Sequence, residues 1–487
     1  MAEKTSVFIQ TNNKDNKMKK HIFYFFATFC LIACTLSKQE AERLGKAAII
    51  FPDYSGTLLP VNLSPPTFAL TDSTESLENL QAVFSSGGEC IVVASEGEDG
   101  FCVSESDWKI LKEHSQTISV TIQGKKNGKW VEYEPFDIHI SPDSIDNTLV
   151  YRLIEPGYEV WNEMGIYQRN VENYDEESII TNRQTDGGCM NCHSFCKYNP
   201  EQVMIHLRKN YSGTYVGSPG ATLRKLVSPK SLVYPSWHPG GRFIAFSQND
   251  TKQMFHTTDR NRIEVFDFSS DIVVYDLETD SLIRCPLLMS GTKFETFPSW
   301  SPDGKTLYFC SADRVDITSD YDKVHYSLCS IGFDADRKQF GDTVTIIYDA
   351  NLTQKSVSFP RCSPDARHLV FTLSDYGNFS IWHKEARLMM LPVDGILSAQ
   401  PVSMLPDFRA SYHSWSSNSR WMVMASRQDD GLYTRPYIVH IDEEGKLSKP
   451  FLLPQPDASH YKRIMKSYNL PEFVTGKVSR ELMSDFK

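Results

Sequence analysis

One pattern occurs four times in this chain of 487 residues, and it restricts the possible folds more than any other feature. Its clearest copy reads FPSWSPDG at residues 297–304 and is followed by an apolar run at 306–310. The other copies begin at Tyr234, Phe359 and Tyr412. An internal repeat of this kind indicates a structure made of stacked copies of one supersecondary unit.

Each repeat combines a short strand that ends in an aromatic residue, a tight turn and an apolar strand. In the turn SPDG, proline presets φ, the aspartate side chain accepts hydrogen bonds from the turn backbone, and glycine adopts a positive φ. A further strand follows, for example at residues 271–276. Four antiparallel strands per repeat form a propeller blade, and blades stack in a ring because one blade cannot bury both of its faces. The pattern therefore predicts a mainly β protein containing a β-propeller.

The repeats resemble the TolB-type propeller family, whose signature is PSWSPDG, over roughly residues 227–450. Two weaker units precede them. One combines HSF at residues 193–195 with residues 199–207, and the other combines ISPD at residues 140–143 with residues 149–153. The resemblance implies a six-bladed TolB-like propeller, in which residues 138–226 form two degenerate blades.

The segments outside the propeller are predicted from their own patterns. Residues 34–60 are expected to be a tether. Residues 61–137 contain alternating strand patterns around Gly and Asn turns, which predicts a small N-terminal β-rich domain. Residues 451–487 are expected to form a short C-terminal helical cap, since residues 459–468 have helical character and end before Pro471.

The N-terminus predicts export. Four lysines at positions 14–20 precede the apolar run 22–33, which ends at Cys34 and is too short to span a bilayer comfortably. The sequence LIAC at residues 31–34 resembles the bacterial lipobox, which implies that residues 1–33 are a lipoprotein signal peptide and that Cys34 is lipidated. We therefore expect a lipid anchor to the membrane in the cell envelope of a Gram-negative bacterium, with the outer membrane favoured.

The net charge argues against one class of partner. Removing residues 1–33 would delete five lysines and two acidic residues, so the net charge would fall from −11 to −14. No basic patch interleaves with aromatic residues, so nucleic acid is not an expected partner.

The motif that carries chemistry is Cys189-Met190-Asn191-Cys192-His193. It matches C-x-x-C-H, the attachment sequence of c-type haem, and the composition predicts only about 0.007 chance occurrences. The two thiols would add to the haem vinyl groups, and the adjacent histidine would ligate the iron. The sequence predicts covalent haem c held by Cys189, Cys192 and His193.

Other interpretations of the same residues stay open. Cys189 and Cys192 could form a disulfide or a redox dithiol, although no βαβ pattern accompanies them. A zinc site would use Cys189, Cys192, His193 and Cys196, although an adjacent Cys and His rarely both reach one tetrahedral ion. An iron–sulfur cluster would need a further cysteine at short spacing after Cys196, and none follows.

The second axial ligand of such an iron is left open. His413 occupies the repeat position that His193 occupies in the degenerate blade, so both imidazoles are expected at the same channel mouth. The alternatives are that His413 only hydrogen-bonds locally, that Met204 or Met422 ligates the iron although Met on a strand usually packs in the core, or that the iron is five-coordinate.

The remaining cysteines carry less information about function. Cys90 and Cys102 flank a Gly- and acid-rich turn and could form a disulfide in an oxidising compartment. The others lie mostly in apolar runs, where a thiol behaves as a small hydrophobe.

Three functions are compatible with these patterns to different degrees. The leading hypothesis is electron transfer or another haem-dependent redox function, with the propeller docking an envelope protein or redox partner. The second is a non-catalytic TolB-like scaffold for a protein or ligand, with a structural C-x-x-C. A hydrolase is disfavoured because no G-x-S-x-G motif is present and fewer than about 40 residues follow the last repeat. The sequence does not decide whether the protein is an enzyme.

Overall fold

The computed structural model describes residues 37–72, 74–156, 162–256, 261, 263–484 and 486. The expected signal peptide and the expected lipidation site Cys34 lie outside these residues. No helix in the described ranges is long and apolar enough to cross a bilayer.

The N-terminal region is a seven-stranded sheet with one packed helix. The sheet runs in the order β1-β8-β7-β5-β6, and β9 pairs with both β7 and β3. The element bounds are β1 Glu42–Ala47, β2 Ile50–Phe51, β3 Leu58–Pro60, β4 Ala69–Leu70, β5 Glu78–Ser86, β6 Glu89–Ala94, α1 Glu105–His114, β7 Thr117–Lys126, β8 Lys129–Glu134 and β9 Phe136–Ser141. The small β-rich domain is thus present, but it begins earlier and ends later than residues 61–137.

The expected tether at residues 34–60 is the first correction. In its described part, β1 pairs parallel with β8 and β3 pairs parallel with β9. Its short strands carry no clear alternation, so the sequence gives no local signal of their pairing. Their pairing with strands about 80 residues further along the chain is what gives them their conformation.

Six four-stranded antiparallel sheets follow, and we label them sheets I to VI. Sheet I contains β10 Thr148–Ile154, β11 Gly165–Asn170 and β12 Glu176–Thr181. Sheet II contains β13 Met190–Phe195, β14 Val203–Leu207, β15 Gly213–Ser218 and β16 Ala221–Lys225. Sheet III contains β17 Val233–Trp237, β18 Phe243–Phe255, β19 Ile263–Asp276 and β20 Ser281–Ile283.

Sheets IV to VI continue the same order. Sheet IV contains β21 Lys293–Trp300, β22 Thr306–Asp313, β23 Ser327–Asp334 and β24 Gln339–Tyr348. Sheet V contains β25 Ser356–Cys362, β26 His368–Ser374, β27 Arg387–Pro392 and β28 Val402–Ser403, and the four-residue helix α2 Ala350–Thr353 precedes it. Sheet VI contains β29 Ser411–Trp415, β30 Trp421–Ser426, β31 Arg435–His440 and β32 Phe451–Leu452.

The C-terminal segment completes sheet I. The helix α3 covers only His460–Arg463, and β33 Ser467–Val474 pairs antiparallel with β10 as the innermost strand. The expected helical cap at 451–487 is therefore wrong. Pro471 suggested a helix end, but residues 470–473 read LPEF and repeat the FPSW strand pattern of residues 297–300.

The innermost strands form a closed ring. β33, β13, β17, β21, β25 and β29 each contact the next in that order, and β29 contacts β33 again. A ring of four-stranded antiparallel sheets around a central channel defines a β-propeller. The N-terminal sheet packs on sheet VI through one continuous hydrophobic core that includes Tyr54, Trp108 and Trp421.

The repeat turn has the expected geometry. Ser301 Oγ donates to Asp303 Oδ1 at 2.6 Å, Lys305 N donates to the same oxygen at 3.0 Å, and Gly304 has a φ of 74°. In sheet V the same turn carries Ala366 at the glycine position, with a φ of 59°. An alanine in this conformation is strained.

Candidate functional site

A repeated backbone feature brings side chains to the channel axis. Five innermost strands contain a left-handed residue, with φ between 49° and 53°. The strand register shifts at the same point in each strand. These residues are Tyr234, Phe297, Phe359, Tyr412 and Leu470.

Four of these side chains close the channel as an aromatic plug, made of Tyr234, Phe297, Phe359 and Tyr412. Ring centroids are 4.5 Å apart for Tyr234 and Phe297, 4.2 Å for Phe297 and Phe359, and 4.7 Å for Phe359 and Tyr412. Tyr234 and Phe359 come from sheets III and V, which are not neighbours, and are still only 6.3 Å apart. Contact between non-neighbouring sheets places the plug at the channel axis.

Cys192 occupies the equivalent position of sheet II, where CHSF replaces FPSW. Its side chain is buried, and burial raises the pKa of its thiol. Cys192 lines the same cavity as the plug residues Tyr234 and Tyr412. The structure therefore brings one of the two predicted cysteines to the channel wall.

His193 follows Cys192 on β13 and is 5% exposed. Neither ring nitrogen makes a well-formed hydrogen bond among the described residues, although the nearby backbone of Leu470 and Val150 opposes part of the fall in the pKa of His193. Burial and the nearby guanidinium of Arg152 lower the pKa of His193 to about 3, so the imidazole is neutral at pH 7. A buried nitrogen without a partner is uncommon, because buried polar groups are normally satisfied.

Arg152 holds the backbone of the motif, and sequence reasoning missed it. Its Nη1 donates to the carbonyl oxygens of Met190 at 2.9 Å and Asn191 at 2.6 Å. Arg152 lies on β10 of the neighbouring sheet, so nothing in the local sequence points to this role.

The cavity beside His193 has a volume of about 540 Å³ and opens at the turn end of the innermost strands. Its walls include Trp237, Trp300 and Trp415 together with the plug. This volume lies within the range of small-molecule and cofactor sites, about 300–1,000 Å³.

Two charged side chains face this cavity from equivalent repeat positions. Four sheets carry a serine one residue after the Pro or His position, but sheet V carries Arg361 and sheet I carries Glu472. Burial raises the pKa of Glu472 to about 7, although Phe195 N donates to its Oε1 at 3.0 Å and Arg361 lies nearby. Glu472 was missed because its strand was interpreted as part of a helical cap, and Arg361 was seen only as a repeat residue.

Cys189 is the predicted site residue that does not join the others. It is half-buried, does not line the cavity, and its carbonyl accepts a hydrogen bond from Arg208 N at 2.8 Å. Cys189 precedes β13, and the register of β13 with β14 shifts between Met190 and Cys192, so the two cysteines are held differently. The positions of Cys192 and His193 at the cavity therefore fit a covalent haem. The position of Cys189 in this conformation does not.

His413 lines the cavity on β29, at the repeat position equivalent to His193. Its Nε2 lies 3.1 Å from the carbonyl oxygen of Val370, which can only accept, so Nε2 carries the hydrogen. The lone pair is then on Nδ1, which is buried and has no partner among the described residues. His413 therefore makes a local hydrogen bond and also lies at the channel cavity.

The other interpretations of the cysteines find no counterpart in the described residues. Within the described residues, neither Cys90 and Cys102 nor Cys189 and Cys192 are joined by a disulfide. Within the described ranges, no group of three or more His, Cys, Asp or Glu residues is arranged to hold a metal ion.

Comparisons with known proteins give only distant structural likenesses. No family model and no curated protein matches the chain. Similar solved structures include an oligogalacturonate lyase from Vibrio parahaemolyticus, with 13% identity over 60% of this chain and 71% of that one and a TM-score of 0.37. The dihydro-heme d1 dehydrogenase NirN has 12% identity over 79% and 75% and a TM-score of 0.33. At these values the likeness carries no argument about activity.

Proposed function

We propose that this chain is an exported, lipid-anchored, six-bladed TolB-like propeller that carries one covalent haem c and acts in electron transfer. The observation that carries the proposal is His193. Its two ring nitrogens are buried and make no well-formed hydrogen bond among the described residues, it belongs to the C-x-x-C-H motif, and it lies at the wall of a cavity of about 540 Å³.

The residues around His193 have properties that suit a haem. A neutral imidazole is the form that ligates a metal, and the low pKa of His193 keeps it neutral. Arg361 supplies a permanent positive charge at the cavity, which suits the carboxylate of a haem propionate. Bound there, the group would supply one-electron redox chemistry.

The position of Cys189 sets a condition on the proposal. For both thiols to reach one porphyrin, residues 189–191 must leave the extended pairing with β14. We therefore infer that attachment precedes the folding of sheet II. Gly187, which has a φ of 69°, and Gly188 leave the chain before Cys189 free of side chains that would restrict this turn.

The test is a haem assay with matched thiol variants. The protein is co-expressed with a c-type haem maturation system, purified and denatured in alkaline pyridine, and its reduced spectrum is recorded. We expect covalent haem in the wild type and in Cys90→Ser, whose thiol is exposed and remote, and none in Cys189→Ser/Cys192→Ser. A wild-type protein without covalent haem refutes the proposal.

His413 is the proposed second iron ligand, through Nδ1. His413→Ala is expected to convert a low-spin spectrum into a high-spin one. An unchanged spectrum would exclude this role without affecting the attachment at Cys189 and Cys192.

The second candidate function is a binding scaffold with a structural C-x-x-C. The observation that favours it is that Cys192 packs beside the aromatic plug while Cys189 stays outside the cavity. If the wild type is isolated without haem and Cys192→Ser still lowers the melting temperature, the scaffold is the better description.

The envelope location has its own test, because it rests on the sequence alone. We expect radiolabelled palmitate to enter the wild type and not Cys34→Ala, with the labelled protein in the outer-membrane fraction. Equal labelling of both proteins would contradict lipidation at Cys34.

A further inference from the structure

A second cavity, of about 560 Å³, lies on sheet IV beside the segment that joins sheets III and IV, and it shares no lining residue with the channel cavity. One wall is a row of cross-strand neighbours on sheet IV, in which Glu295 pairs with Ser311 and Ser311 pairs with Ser327. The facing wall includes Pro286 and Leu287, from the segment that joins sheet III to sheet IV.

Glu295 breaks the repeat. It lies two residues before the left-handed residue of its strand, Phe297. In the other five sheets the equivalent residue is apolar and at most 5% exposed, namely Met190, Leu232, Val357, Ala410 and Tyr468. Glu295 is just as buried, at 1% exposure. A residue without charge therefore fits this position in the other five sheets, and only sheet IV has a charged one.

The carboxylate of Glu295 is only partly satisfied by the protein, through the backbone of Ser290. Its Oε2 is buried and has no hydrogen-bond partner among the described residues. Burial raises the pKa of Glu295 to about 7, although Arg314 and Lys293 lie near enough to oppose this effect. A buried acid that conflicts with the local repeat marks a functional position more often than a packing one.

The cations at the rim of this cavity already have partners. Lys293 lies 3.2 Å from Asp313, and Lys323 lies 2.7 Å from Asp320. The carboxylate therefore remains available to a ligand.

The rest of the lining is mixed, with Ser290, His325 and Asn351 beside an apolar part. Phe309, Val344 and Ile346 face the cavity from sheet IV, and Leu287 faces it from the other wall. Leu287 and Ile346 are 41% and 52% exposed, which gives the opening an apolar edge. One buried acid beside an apolar part of the lining fits a ligand with a cationic head and an apolar body.

We propose that this cavity binds a small organic cation, a primary amine whose ammonium group donates to Glu295 and whose apolar part packs against Phe309, Val344 and Ile346. Its volume lies within the range of small-molecule sites, about 300–1,000 Å³. The site is independent of the haem proposal, since it shares no residue with the channel.

The test is calorimetry with tryptammonium at pH 8, where the carboxylate of Glu295 is ionised. Tryptophol and indole-3-acetate, which share the ring but carry a neutral or a negative group, are the matched probes. We expect tryptammonium to bind at least about ten-fold more tightly than either, since hydrogen bonds to charged groups exceed neutral ones. Equal affinity for tryptophol, or no heat with tryptammonium, overturns the proposal.

Two variants locate the site. Glu295→Gln is expected to weaken tryptammonium binding at least about ten-fold. Glu278→Gln, an exposed glutamate of sheet III that pairs with Arg242, should not change it. Glu295→Leu restores the repeat residue of sheet III, so it is expected to raise the melting temperature while abolishing binding. Tryptammonium binding retained by Glu295→Leu would place the amine elsewhere and refute the assignment.

Discussion

A buried charge network connects sheet III to sheet V, and its contribution to stability should be lost as the pH rises. The imidazole of His383 is fully buried, with Nε2 at 3.2 Å from Glu264 Oε2 and Nδ1 at 3.1 Å from Glu385 Oε1. Tyr376 donates to Glu264 Oε1 at 2.7 Å. Burial lowers the pKa of His383, but the two carboxylates together raise it by more than burial lowers it, so the pKa is about 9.

The sign and size of the contribution of His383 to the free energy of unfolding follow from the linkage between protonation and folding. Because the folded pKa of His383 exceeds its ordinary value of 6.5, its contribution is fully present below pH 6.5 and is lost as the pH rises through about 9. One pKa unit corresponds to about 1.4 kcal/mol, so the contribution is on the order of 3 kcal/mol. His383→Gln removes the charge and leaves two acids facing a neutral amide, which should lower the free energy of unfolding at pH 7 by about 3 kcal/mol.

The assay is urea unfolding at pH 6.5, 8 and 9.5. The wild type is expected to lose stability across this range, and His383→Gln is expected to lose much less over the same range. His114→Gln, an exposed histidine at the end of α1, is the control and should follow the wild type. A wild type that is as stable at pH 9.5 as at pH 6.5, or a His383→Gln profile parallel to it, would refute the assigned charge.

Three further changes test the fold. Arg152→Ala removes the two hydrogen bonds to the carbonyls of Met190 and Asn191, so it should cost roughly 3 kcal/mol in chemical denaturation and speed amide exchange in β13; unchanged exchange there would contradict its positioning role. Ala366→Gly should raise the free energy of unfolding by about 1 kcal/mol, because it removes the left-handed strain seen at a φ of 59°; a loss of stability would show that the strain is not there. Ending the chain at residue 466 deletes β33 and leaves β10 unpaired on its inner edge, so we expect aggregation on size exclusion rather than a folded monomer.

The sequence by itself determined the repeating unit. The turn at residues 301–304 has the hydrogen bonds and the positive φ that its residues predict, since both depend on neighbours within five residues. The repeat also placed His193 and His413 at equivalent positions of the innermost strands, and the structure places both at the wall of one cavity. The haem, the lipid anchor and the redox function remain predictions from short motifs.

Only the tertiary structure decided how the ring closes and what faces the channel. β33 pairs with β10 across more than 300 residues of chain, so the sequence around Pro471 alone read as a helix end. The same pairing brings Glu472 to the cavity, and Arg152 reaches the backbone of the motif from a neighbouring sheet. Pairing between distant strands has no local signature, because each strand shows only its own alternation and not its partner.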